Sequence, residues 1–284
     1  MRASGSSASV EVGGLSVSLP SGVKDFDALG ETSLTGRDLL REIPASRWDV
    51  ELAATQLVGL PVEVASRVRH AGFVSSAELV DNVAFTISVA EVAAMDPCQR
   101  LVLEFGYAAL HVAPLARTAL GGSLTGVFLG FAGTEFAQVL AASPAGGSVY
   151  AATGSSSSIA SGRVSYVLGL HGPCVSYDTA CSAALAAGHA GLRALQRAEC
   201  GVGLVVGVTL MLAPGVGTSF AVAGMTAACG RSHTFDGRAD GYARGEACGG
   251  VTLRDVAGRA TLGLLGSAVR QDGRSASLTA PNGH

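Results

Sequence analysis

Over residues 10–19 the chain alternates loosely between apolar and polar positions and then stops at Pro20. A period of two places successive side chains on opposite faces of a strand, so a first strand and a closing turn are predicted there. Polar and charged residues follow, including Arg41-Glu42-Ile43-Pro44 and Arg47-Trp48-Asp49, and they predict loop. The first clear helix start is Asp96-Pro97: Asp can accept hydrogen bonds from free amides at a helix N-terminus, and Pro suits the first helical position. Leu101, Phe105, Ala108 and Val112 then recur at helical spacing and define an inward face.

Further on, the unbroken apolar run at 126–132 (GVFLGFA) predicts a buried strand, 155–170 a helix with small residues on several faces, and 173–178 another strand. Residues 182–198 predict an Ala-rich helix, apolar on nearly all sides and therefore expected in the core, with Arg193 and Arg197 near its end. Strands are expected again at 202–208, 249–253 and 262–269. Alternating strands and helices predict an α/β layered architecture, and no repeat of 20–50 residues interrupts it.

Composition narrows the function classes. The 284 residues are 48% hydrophobic and 14% charged, which suits a buried α/β core and not a disordered chain. A net charge of −3 without a Lys/Arg run argues against nucleic-acid binding. Residues 1–9 are small and polar; they predict a disordered N-terminus and carry no apolar signal-peptide core. Residues 200–230 hold no charge, yet Pro214 and seven glycines break that span, so a strand and a Gly-rich loop are expected there instead of a membrane span. The six cysteines, at 98, 174, 181, 200, 229 and 248, form no Cys-x-x-Cys pair and have no histidine at zinc-ligand spacing. No metal site and no directly bound cofactor are expected. Mostly buried free thiols in a reducing compartment are, the cytoplasm first and a plastid as the other option.

Chemistry concentrates where the strand at 173–178 meets the helix at 182–198. The sequence there is Asp178-Thr179-Ala180-Cys181-Ser182-Ala183-Ala184-Leu185. A cysteine at a helix N-terminus has unpaired amides and the positive end of the helix dipole beside its sulfur, and both favour the nucleophilic thiolate. The same amides can stabilise an oxyanion on an attacked thioester. Small side chains at 180 and 182–184 leave room for an acyl chain. A buried, inert thiol is the competing reading of Cys181. Other motifs fail: Gly201-Val202-Gly203 is followed by Val206 where a dinucleotide loop needs Gly, and no Gly-x-Ser-x-Gly elbow or Walker loop is present. Ser155 to Ser158 suit a helix start.

At this junction the chain resembles the ketosynthase (β-ketoacyl synthase) domains of modular type I polyketide synthases. The Asp-Thr-Ala-Cys-Ser signature stands intact at 178–182. Met95-Asp96-Pro97-Cys98-Gln99-Arg100 resembles that family's MDPQQR segment with one change, and 41–49 (REIPASRWD) its early loop. Gly172-Pro173 precedes the nucleophile strand. Phe235-Asp236 and 239–246 (ADGYARGE) resemble its FDA…ADGYVRGEG stretch, and Gln271-Asp272-Gly273-Arg274 with 278–283 (LTAPNG) the segment that follows.

The resemblance implies a thiolase-like αβαβα fold, with this chain holding the N-terminal half (10–256) and the opening of the C-terminal half (257–284). It implies Cys181 as the nucleophile, loaded from the phosphopantetheine of an acyl carrier protein. A decarboxylating malonyl-type extender then attacks the acyl-cysteine. It also implies a homodimer through the strand at 173–178.

The family's two histidine motifs, EAHGTGT-like and NxGH-like, have no counterpart here. Histidines 70, 111, 171, 189, 233 and 284 lie in other surroundings, and His189 reads as a core or interface residue. Condensation by this chain alone is therefore expected to be impaired. Ala247-Cys248, Arg270 and the absence of Trp near 26–30 are smaller departures. The alternatives are a catalytically incompetent fragment or dimerisation subunit, and another cysteine enzyme of the same fold, such as a thiolase or acyltransferase. Arg163, Arg193 and Arg197 are candidate basic surface for an acidic carrier protein.

Overall fold

The computed structural model describes residues 9–50, 61–113, 115–133, 135–256, 262–277, 280 and 282. Six strands form its main sheet: β1 (Ser9–Ser18), β2 (Thr125–Phe131), β3 (Cys174–Tyr177), β4 (Val202–Thr209), β5 (Ala247–Val256) and β6 (Gly263–Leu264), in the order β3-β2-β4-β5-β1-β6. β2 runs parallel to β3 and β4, whereas β5 is antiparallel to β4 and β1. Arg41–Glu42 and His70–Ala71 pair as a separate two-stranded ribbon.

Five helices matter for the site and its frame: α1 (Phe26–Thr35), α2 (Pro97–Val112), α3 (Ser157–Leu168), α4 (Ala183–Gln196) and α5 (Pro214–Val222). α2 and α3 lie on one face of the sheet and α4 on the other. Alternation along the strands supplies both faces. Val127, Leu129 and Phe131 of β2, with Leu204, Val206 and Val208 of β4, pack with Leu101, Val102 and Val164 of α2 and α3. Phe128 and Val205 point the other way, to Ala187, Leu192 and Leu195 of α4. The result is three consecutive layers, α/β/α.

The predicted strands at 10–19, 126–132, 173–178, 202–208 and 249–253 are present within a few residues. So is the helix starting at Asp96-Pro97, where Asp96 Oδ1 accepts the Cys98 amide (2.7 Å). Other expectations are corrected. The polar stretch after Pro20 contains α1, a helix with no buried residue. It is held at its ends, by Ala28 N–H donating to Asp25 Oδ1 (2.7 Å) and by Gly36 at φ 62°. The Gly-rich stretch after β4 contains α5, started by Pro214 at its first turn. The helix expected at 155–170 is interrupted at Ser156, whose ψ of 129° separates Ala151–Ser155 from α3. Of the strand expected at 262–269 only Gly263–Leu264 pairs, with β1.

α4 is not buried on all sides. Ala183, Ala187, Gly191, Leu192, Ala194 and Leu195 face the sheet, while Leu185 is 78% exposed, because the described residues place a layer on only one side of it. The thiols divide evenly, with Cys98, Cys200 and Cys248 buried and Cys174, Cys181 and Cys229 exposed. Of the N-terminal nine residues, 1–8 lie outside the described residues, and Ser9 already belongs to β1. Of 278–283, only Ala280 and Asn282 are described. No helix among the described residues is long and apolar enough to cross a membrane.

The segments that carry the resemblance are tied together inside the fold. Arg47 meets the buried Glu246 through two bonds, Nε to Oε1 (3.0 Å) and Nη2 to Oε2 (2.9 Å). Glu246 also accepts the amides of Val74 (2.9 Å) and Met211 (3.0 Å). Burial works against the charge of Arg47, but the Glu246 carboxylate outweighs it and raises the arginine pKa. Gln99 is likewise internal: its amide donates to the carbonyls of Thr153 (3.1 Å), Gly154 (3.0 Å) and Ser156 (3.3 Å) and accepts Arg163 Nε (2.8 Å). These polar residues hold loops against the core, where a buried polar group needs a partner.

Candidate active site

β2 has β3 on one side and β4 on the other. The chain passes from β2 to β3 through α3 on one face of the sheet, and from β3 to β4 through α4 on the opposite face. A parallel sheet opens a crevice at the carboxyl ends of its strands where the winding reverses. Residues 178–182 lie there, between the end of β3 and the start of α4.

Each residue of the turn contributes to its shape. Ala180 N–H donates to Asp178 Oδ1 (3.0 Å), an Asx-type turn closure. Ala180 itself has φ 53°, a left-handed conformation that larger or branched side chains resist. Residues Ala180–Ser182 form one 3-10 turn, and α4 starts at Ala183. Ser182 occupies the helix N-cap but does not cap forward. Its hydroxyl donates back to Thr179 O (2.9 Å) and lies 2.9 Å from Thr179 Oγ1. The first amides of α4 therefore carry no side-chain cap and can receive an anion. Cys181 is exposed at this end of the helix.

Two glycines let α4 come close enough. A Cβ at Gly130 on β2 would stand 2.4 Å from Ala184 N, and one at Gly207 on β4 would stand 2.7 Å from Ala184 Cβ. Side chains at those positions would lift the start of the helix, and Cys181 with it, off the strand ends. Ser176 fixes β3 to α3: its hydroxyl donates to Ser157 O (2.7 Å) and lies 3.0 Å from Ser161 Oγ. The signature at 178–182 was visible in the sequence, whereas Gly130 and Gly207 were not marked as functional. Their signal was a glycine near the end of each buried strand, at GVFLG and LVVG.

The other candidates fall elsewhere. Arg163 is only 7% exposed and pairs with Glu91 and Gln99, so it offers no carrier-protein surface. Arg193 is exposed and bonds Gln196 Oε1 (2.6 Å) and Ser267 O (3.1 Å), and Arg197 is exposed. His189 sits part-way along α4 with Nδ1 2.8 Å from Ser267 Oγ. Among the described residues, no cluster of three His, Cys, Asp or Glu residues could hold a metal ion.

Comparisons with known proteins agree with the layered α/β fold. Residues 7–257 match the model of the β-ketoacyl synthase N-terminal domain. The chain is 40% identical over 271 residues to the spectinabilin polyketide synthase system protein NorC of Streptomyces orinoci, covering 93% of this chain and 12% of that protein. It is 42% identical over 287 residues to the phenolphthiocerol synthesis polyketide synthase type I Pks15/1 of Mycobacterium bovis, covering 96% of this chain and 13% of that one. Among solved structures it is similar to the ketosynthase from module 6 of the bacillaene synthase of Bacillus subtilis 168, with a TM-score of 0.82 and 30% identity. That match covers 96% of this chain and 45% of the solved chain. The chain thus spans about half of a solved ketosynthase and a small part of the curated polyketide synthases it matches. The layered α/β fold, the segments that frame the turn at Cys181 and these matches lead to one assignment: the chain belongs to the β-ketoacyl synthase family, within its N-terminal domain and the thiolase-like fold.

Proposed function

We propose that this chain works in polyketide ketosynthase chemistry, with Cys181 as the residue that accepts the acyl group. The observation that supports it most is an exposed thiol beside helix amides that Ser182 leaves uncapped. The Cys181 thiolate attacks the carbonyl of an acyl thioester on the phosphopantetheine of an acyl carrier protein. The negative charge that develops on the carbonyl oxygen is met by the amides at the start of α4. Collapse expels the phosphopantetheine thiolate, which takes up a proton, and leaves an acyl–Cys181 thioester.

In the complete ketosynthase reaction a malonyl-type extender then loses carbon dioxide, and its carbanion attacks the acyl carbonyl. Cys181 leaves as thiolate and a β-ketoacyl thioester remains on the carrier. The EAHGTGT and NxGH motifs that serve this step in the family have no counterpart in the 284 residues, so acyl transfer is the step assigned to these side chains. Residues 10–256 are read as the N-terminal ketosynthase domain and 257–284 as the opening of the second.

A second reading, a catalytically incompetent fragment or dimerisation subunit, draws on one observation. β3 is an edge strand with Cys174 and Val175 exposed, free to pair with its twin. Homodimerisation through β3 is compatible with both readings. Incubating the folded protein with an acyl-pantetheine thioester and weighing it intact separates them. The wild type should gain one acyl mass and Cys181→Ala none. Absence of the adduct on the wild type, or equal labelling of the variant, overturns the acyl-transfer reading.

A further inference from the structure

We propose that the cleft between the loop at 43–50, the ribbon strand His70–Ala71 and the start of α5 is a second binding site, separate from Cys181, for a small monocarboxylate with an apolar body. Its apolar wall is made by Ile43, Trp48, Val50 and Met211. Among its polar lining residues are Thr226, His70 and Arg244.

Two of these carry a buried polar atom without a partner, and the third is a half-buried arginine. Thr226 is 2% exposed and its Oγ1 has no hydrogen-bond partner. His70 Nδ1 is buried and also has none. Arg244 makes no ion pair among the described residues. Its guanidinium lies over the face of Phe220, 5.3 Å from guanidinium carbon to ring centroid. The neighbouring arginines differ. Arg67 bonds Thr226 O and Asp240 O and lies 3.7 Å from the Asp240 carboxylate, and Arg69 pairs with Glu42 (2.9 Å). Gly217 on α5 leaves room for Arg244, since a Cβ there would stand 3.0 Å from its Nη1. Burial lowers the pKa of Arg244, and the more distant charges of Glu135, Tyr242 and Glu246 only offset part of this.

Buried polar groups without partners are uncommon in native folds. An acceptor-only anion answers the guanidinium and the hydroxyl together, and the imidazole in the tautomer that carries its proton on Nδ1. A cation would be repelled by Arg244. An uncharged apolar molecule would leave the same groups unpaired. A bare, strongly hydrated phosphate would gain nothing from the Trp48 wall. A carboxylate on a short aliphatic body matches both halves of the cleft.

Trp48 is the only tryptophan of the chain, so its emission reports on this cleft. The full chain is titrated with octanoate, octanol, octylamine and inorganic phosphate. Octanoate should give a saturable change, with the other three at least about ten-fold weaker. Arg244→Gln should raise the octanoate Kd by about ten-fold or more, with far-ultraviolet circular dichroism confirming that the variant is folded. Thr226→Val should weaken binding by a smaller factor, and decides the question if Arg244→Gln does not fold. Cys181→Ala should bind octanoate as the wild type does. The proposal is overturned by an unsaturable octanoate response, by octanol binding as tightly, by folded variants with unchanged Kd, or by loss of binding in Cys181→Ala.

Discussion

At the residue scale, the sequence marked Cys181 but not what holds it. The positive φ of Ala180 and the backward bonds of Ser182 are products of the closed turn, and nothing in the residue names distinguishes a Ser that caps forward from one that bonds back. Asp96 shows a similar gap between type and environment. It caps the helix, as its place before Pro97 predicts, but it is also only 2% exposed. Burial pushes its carboxyl up to about 6, against the lowering effects of the Cys98 amide and thiol and of Arg100. The fold therefore favours the neutral acid. The stabilisation it contributes is complete below the unfolded carboxyl value of 3.8 and is lost as pH rises through about 6. Asn at this position stays neutral and can still accept the Cys98 amide. Relative to Asp96→Asn, the wild type should lose about 3 kcal/mol of unfolding free energy between pH 3.8 and pH 7.5. Urea denaturation of both proteins at the two pH values checks this, and an equal gap at both would refute it.

At the element scale, buried strands and the helices that pack on them were legible because apolar periodicity encodes burial. The errors cluster where that signal is missing. α1 has no buried face, so no periodicity predicted it, and α5 is hidden by glycines that read as loop. α4 departs from expectation for the opposite reason: small apolar residues on all sides describe what a helix can tolerate, not how many layers surround it. Its seat on the sheet depends on Gly130 and Gly207. Gly130→Val should cost roughly 2–3 kcal/mol in a chemical melt, as expected for overpacking. It should also displace residues 178–182, which alkylation kinetics of Cys181 with iodoacetamide would register as a changed rate. A variant with wild-type stability and wild-type alkylation would show that the helix has slack at this point.

At the scale of the whole molecule, the sheet among the described residues ends in β3, which is paired along one edge only. Exposed edges template pairing with another chain, and β3 lacks the charges that usually discourage it. Val175, 39% exposed, is the point at which to add one. Val175→Lys should shift the protein from dimer to monomer in sedimentation velocity without changing its circular dichroism. A wild type that is already monomeric would remove the β3 dimer.

The order of the motifs, the α/β alternation and the candidate nucleophile were available from the residues alone, because each is a local statement: a period, a cap, a signature at a strand–helix junction. Only the tertiary structure showed Arg47 paired with Glu246, 199 positions away, Arg163 turned inward to Glu91, and glycines on β2 and β4 setting the height of Cys181 above the sheet. These depend on which distant atoms come to share a buried space. Burial in turn sets the charge state of Asp96, which no local sequence pattern states.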